Sequence, residues 1–274
     1  MTKRLCRQIG FGKPLLFWGF SLAFGLSRRT SMCSALSSHI LSLLYNQYYF
    51  IFAILPILLF FCGSVMEDDP IIFVLRYGSY KHYFTSKWRS LGVLCSGLWL
   101  GQITILFVTG AGLSVIKQGW DNFSGSSLLK EIAPLLVKSF PGAWVAVFCA
   151  AVYMLMGYWL IALLTLWLGH FLQRQKAIKV LLALYILTIL SIKLPIMSRP
   201  PFCYLTGINH WVLLLHNLTA GWRFPLTVIV TLLFVVTVIC SIQGGWRSAA
   251  HHHRISKGLP AYYRHILFSA SNFL

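Results

Sequence analysis

Five acids, nine histidines and seven cysteines are the side chains here able to carry acid–base, metal or nucleophilic chemistry, and their spacing decides which is open. The acids, Glu67, Asp68, Asp69, Asp121 and Glu131, all lie between apolar runs and none within one. Ion-coupled transporters keep carboxylates inside their spans, because a group there must change charge. A hydrolase or phosphotransferase needs paired acids, metal ligands, or a nucleophile beside a base. Neither pattern is present. His170, the one histidine well inside an apolar run, reads as an interfacial or helix-terminal residue. His251, His252 and His253 are consecutive, so on a helix their rings point in different directions. Cys6, Cys33, Cys62, Cys95, Cys149, Cys203 and Cys240 are odd in number and scattered, which suits reduced thiols packed as small apolar groups. No Cys-x-x-Cys pair and no His-Glu-x-x-His motif occurs, so neither a structural zinc site nor a zinc protease is indicated. No metal or cofactor is expected in this chain. A Gly-x-x-x-x-Gly-Lys-Ser/Thr phosphate loop is also missing, so ATP would have to be used by another chain.

The elements that would hold these residues are apolar. The sequence is 58% hydrophobic and 10% charged, with a mean hydropathy of +0.74, where an average soluble domain carries about 25% charged residues. The expectation is a single all-α, polytopic membrane domain over 1–274 with about six transmembrane helices. Five spans are expected at 40–66, 90–116, 141–173, 180–197 and 224–246, each long enough for a hydrocarbon core of about 30 Å or nearly so. Pro56 predicts a kink or local unwinding in the first of these. The run 141–173 is longer than a perpendicular crossing requires, which predicts tilt or projection from the bilayer. Lys193 can snorkel. The stretch 14–27, trapped between Lys13 and Arg28, has two readings: a short crossing, or an amphipathic lead-in helix lying in the interface. A signal peptide is disfavoured by Arg28 and Arg29, which stand where small cleavage-site residues belong.

Charge orients the chain. Twenty-three Lys and Arg give a formal charge of +18. They cluster at the ends of apolar runs, as contact with anionic lipid and cytoplasmic retention predict, so lipid rather than nucleic acid is the expected partner. The segment 67–89, the connection 174–179 and the tail after Trp246 are cation-rich and belong inside. The loops 117–140 and 198–223 belong outside. Both sequons, Asn122-Phe-Ser124 and Asn217-Leu-Thr219, fall in those outer loops. A plasma-membrane protein with both termini cytoplasmic is the result.

The most distinctive piece is 67–89. Asp69 can cap a helix that starts at Pro70, placing negative charge at the positive helix end. A short helix on the inner membrane surface follows, interrupted at Gly78, with Tyr80, Tyr83 and Trp88 as headgroup-level anchors. Here the sequence resembles the small six-span permease subunits of ABC exporters for drugs, lantibiotics and bacteriocin peptides. In that family an acid follows the second span, a coupling helix comes next, and a Leu-Arg-x-Gly-Ser pattern followed by Lys leads into the third span. Glu67, Leu75-Arg76-Tyr77-Gly78-Ser79 and Lys87 stand in those places.

The resemblance implies a permease that pairs with a second permease, identical or not, and with ABC ATPase subunits that hold ATP and Mg. It implies contact with the ATPase through Glu67, Asp69, Ile72, Phe73, Leu75, Arg76, Gly78, Ser79, Lys81 and Lys87. The expected cargo is a peptide or amphipathic compound, since Trp99, Trp144, Tyr153, Tyr158 and Trp159 offer aromatic surface without fixed charge. A membrane-bound immunity protein that sequesters a peptide is the alternative, and an intramembrane enzyme a more distant one.

Overall fold

The computed structural model describes residues 2–29, 35–66, 80–115, 127–194 and 208–219. Among them helices account for all regular structure apart from one isolated bridge between Ala35 and Ser114. In chain order they are α1 (Thr2–Ile9), α2 (Gly12–Ser27), α3 (Leu36–Leu44), α4 (Gln47–Met66), α5 (Tyr80–Thr109), α6 (Ser127–Ser139), α7 (Ala143–Phe171), α8 (Arg174–Lys193), α9 (Ile208–Val212) and α10 (Leu214–Thr219).

Three stretches, Gln47–Met66, His82–Thr109 and Ala143–Gly169, are long and apolar enough to cross a membrane. A fourth is added if α1 and α2, bent by 70° relative to one another, count as one. The six expected crossings are therefore three or four among the described residues. The span 224–246 and the tail lie outside them. Residues 180–193 of the expected span 180–197 are the later part of α8, which also takes in the supposed loop 174–179, so that only Leu172 and Gln173 separate it from α7, while 195–197 lie outside the described residues. With Arg174, Lys176, Lys179 and Lys193 on it, α8 falls short of the other three in continuous apolar length.

The segment 14–27 lies within a single helix, α2, and a separate short helix, α1, precedes it, turned away at Gly10, whose φ of 72° suits glycine.

The span 40–66 is discontinuous. It begins as α3, every described residue of which is buried except the half-buried Ser42. At Tyr45 and Asn46 the helix stops, and the Asn46 side chain accepts the Tyr49 backbone N–H at 2.9 Å to start α4. Phe50–Ile54 then takes a π-helical course before the α-helix resumes at Leu55. Pro56 sits in the first turn of that resumed helix, so its missing N–H is absorbed by a local change of register, which is the unwinding its sequence predicts.

Lipid tails are as apolar as leucine, so close approach and hydrogen bonds, more than exclusion from water, hold such helices together. Small residues mark the approaches. A Cβ on Gly157 of α7 would lie 2.6 Å from the Trp211 carbonyl oxygen, and one on Gly25 of α2 would lie 2.7 Å from Thr109 Oγ1. The supposed outer loop 198–223 is thereby corrected in its middle. Helices α9 and α10 pack into the bundle against α7, with Ile208, Asn209, His210 and Val212–Leu215 buried. Tyr153 donates from its hydroxyl to the His210 carbonyl, and the Ile208 N–H donates to Thr188 Oγ1 at 3.4 Å.

Candidate functional site

Four helices meet at a buried line of hydroxyl and amide groups. Tyr158 of α7 donates to Gln102 Oε1 of α5 at 2.7 Å. Gln102 Nε2 donates to the Tyr49 hydroxyl of α4 at 3.2 Å, and Tyr49 donates to Ser21 Oγ of α2 at 2.7 Å. Ser21 ends the line on the Phe17 carbonyl at 2.9 Å. Every donation runs the same way, and none of the four side chains is more than 4% exposed. The sequence places them locally for simple reasons. Ser21 bonds one turn back along its own helix, a habit of serine in apolar helices. Tyr49 is fixed because the Asn46 cap sets the first turn of α4. The rings are wedged as well, Tyr49 stacked on Phe24 at 4.3 Å between centroids and Tyr158 edge-on to Phe17 at 6.2 Å.

The line thus ties four helices together through hydrogen bonds among uncharged groups. Among the described residues no three His, Cys, Asp or Glu side chains gather into a metal site.

A second polar spot lies toward the Thr109 end of the bundle. His39 of α3, fully buried, faces Thr109 Oγ1 through Nε2 at 3.2 Å. Its Nδ1 has no hydrogen-bond partner among the described residues. Arg29 donates from its guanidinium to the Ala111 carbonyl nearby.

The residues expected to contact an ATPase divide sharply. Glu67, Asp69, Ile72, Phe73, Leu75, Arg76, Gly78 and Ser79 lie outside the described residues. Lys81 is on the first turn of α5, with its side chain outside them. Lys87 is a correction: it belongs to α5, only 7% exposed, reaching the Tyr83 hydroxyl at 3.3 Å, and is not part of a surface loop. The described part of α5 begins at Tyr80, so residues 80–89 of the expected coupling segment 67–89 are helical, and 67–79 lie outside the described residues. Tyr83, expected as a headgroup anchor, is buried, and Trp88 meets Trp159 edge-on at 6.0 Å.

The aromatics expected to offer cargo surface are used in packing. Trp99 donates to the Ala151 carbonyl and Trp159 to Ser96 Oγ, both at 2.9 Å, while Trp144 stacks on Phe107. Tyr153 and Tyr158 are tied down as described. His170 is in the last turn of α7, with its side chain outside the described residues. Cys6 is exposed, Cys62 and Cys95 are buried and Cys149 is intermediate, all as free thiols.

Sequence reasoning missed Gln102, Tyr49, Ser21 and His39. A signal existed for Gln102, the sole amide side chain between Ser90 and Ile116, since a strongly polar group in a span marks a site by default. Ser21 and Tyr49 carried no such mark. No protein-family model, curated protein or solved structure matches this chain.

Proposed function

We propose that this chain is the membrane-embedded permease subunit of an ATP-driven exporter for a peptide or amphipathic compound, working with ATPase subunits and a second permease. The observation that carries the reading is the course of α4. This helix holds Tyr49 of the hydrogen-bonded line, includes the π-helical stretch, and ends at Met66, directly before the 67–79 segment that resembles a coupling helix. Force applied to that segment by a partner would pass into α4 and α5, the two helices it joins. The break at Tyr45 and Asn46 just before α4 and the π-helical stretch within it are where the backbone leaves regular α-helical geometry and α4 can yield. Energy comes from a separate chain, since this one has no phosphate loop.

The experiment is purification of the chain in mild detergent from its native host, with Phe73→Ala and Arg76→Glu compared with the parent. An ATPase subunit is expected to co-purify with the parent. Truncating one buried anchor commonly removes about 2 kcal/mol, about thirtyfold in affinity, so either variant should lose the ATPase and the export or resistance phenotype at equal membrane abundance. Arg254→Glu in the tail should be nearly silent. If both variants retain the partner and the phenotype, 67–79 is a linker. If the parent purifies alone and protects cells lacking any partner ATPase, it is an immunity protein.

A further inference from the structure

We infer that α1 and the turn after it form a binding site for anionic phospholipid at the membrane surface on the Met66 side of the bundle. Helix α1 is bent by 70° from α2. If α2 runs along the membrane normal, α1 lies close to the membrane plane. Its two faces differ in kind. Leu5 and Ile9 are buried against the protein, and Thr2 Oγ1 meets Ser90 Oγ of α5 at 3.2 Å, so the helix is held in place. Lys3 and Arg7 are exposed, and so is Arg89 beside the Ser90 attachment.

Directly after the bend come exposed apolar groups: Phe11 at 84%, Leu15 at 60% and Leu16 at 51%. Cations above and an aromatic and aliphatic edge below are the two requirements of a phospholipid, whose phosphate and acyl chains sit at adjacent depths. A soluble phosphate would use only the first. No acidic residue occurs between Met1 and Arg29, so nothing on α1 or α2 competes for the cations. The nearest acids in the chain are Glu67, Asp68 and Asp69, which follow the Ser64–Met66 turn that packs on α1. Lys13 at the bend is turned inward to Ser64 Oγ at 2.6 Å and over the Phe60 ring, which leaves Lys3, Arg7 and Arg89 as the outward charges. This inference needs only that α2 crosses the membrane, so it stands or falls separately from the permease reading.

The test uses the full chain purified in detergent and titrated with phosphatidylglycerol or phosphatidylcholine, with bound lipids counted by native mass spectrometry. Wild type is expected to retain phosphatidylglycerol in preference. Each cation near an anionic surface contributes enough that Lys3→Gln with Arg7→Gln should weaken phosphatidylglycerol binding about thirtyfold at low ionic strength. Phe11→Ser should also weaken it several-fold, a loss that binding of a bare phosphate would not show. Lys138→Gln, an exposed cation on α6, should change it by less than about twofold. The inference is overturned if the double variant retains the lipid as wild type does, or if Phe11→Ser has no effect. It is also overturned if the double variant loses equal thermal stability in phosphatidylcholine alone, because the cations then pair within the protein.

Discussion

Replacing Gln102 by leucine tests whether the buried polar line holds the helices together. The side chain is completely buried and makes two hydrogen bonds, one to the Tyr158 hydroxyl and one to the Tyr49 hydroxyl. Leucine is close in volume, so the cavity contribution is small and the loss is polar. Each interhelical hydrogen bond in a membrane protein is worth about 0.6 kcal/mol on average. Tyr49 keeps its bond to Ser21, but Tyr158 is left with a buried hydroxyl, costing about 1–3 kcal/mol more. The expected destabilisation is about 2–4 kcal/mol. Tyr158→Phe removes the hydroxyl itself and should cost about 1 kcal/mol, leaving one Gln102 acceptor unfilled. The double variant has no stranded group at this contact, so it should be more stable than the sum of the singles by about 1 kcal/mol. The assay is reversible unfolding in mixed micelles by titration with a denaturing detergent. Additivity of the two changes within about 0.5 kcal/mol would refute the contact.

Two further outcomes follow from other contacts. Gly157→Ala places a methyl group against the Trp211 carbonyl and the Val212 backbone, which cannot move as a side chain could. It should lower stability by about 1–3 kcal/mol, whereas Gly19→Ala, with nothing within 4 Å, should be neutral or slightly stabilising in the same unfolding assay. His39→Leu removes the buried contact with Thr109 Oγ1 together with an Nδ1 that has no hydrogen-bond partner among the described residues, so it should change stability by less than about 1 kcal/mol in the same assay.

The long helices were legible because nothing interrupts their apolar runs: α7 departs from the expected 141–173 by two residues at each end. Boundaries failed where polar residues are helical. Lys81, Lys87 and Arg89 read as a surface loop, yet a helix can carry cations in opening turns that project beyond the hydrocarbon, and Lys87 sets its ammonium over the Tyr83 ring. The break at Tyr45 and Asn46 was hidden for the opposite reason. Its flanks are as apolar as any helix interior, and the Asn46 cap is visible only once the Tyr49 N–H is seen to need it. Helices α9 and α10 were read as loop because Asn209, His210, His216 and Asn217 dilute the hydropathy of a stretch too short to register as a span. The polar line itself requires knowing which faces meet, and that depends on packing across four separate segments.

The central position of α7 has a consequence for how the chain is made. This helix packs on α3, α4, α5, α8, α9 and α10, and Tyr158 is the first donor of the polar line. Yet it leaves the ribosome only after everything up to Ser139 has been synthesised. During that interval Ser21, Tyr49 and Gln102 are already in the membrane and can join without it, since the bonds among them do not involve α7. Helix α3 can touch α5 before that, through His39 and Thr109, but most of its cover in the finished protein comes from α7. The first half can thus be held by hydrogen bonds while its most enclosed segment is still largely uncovered.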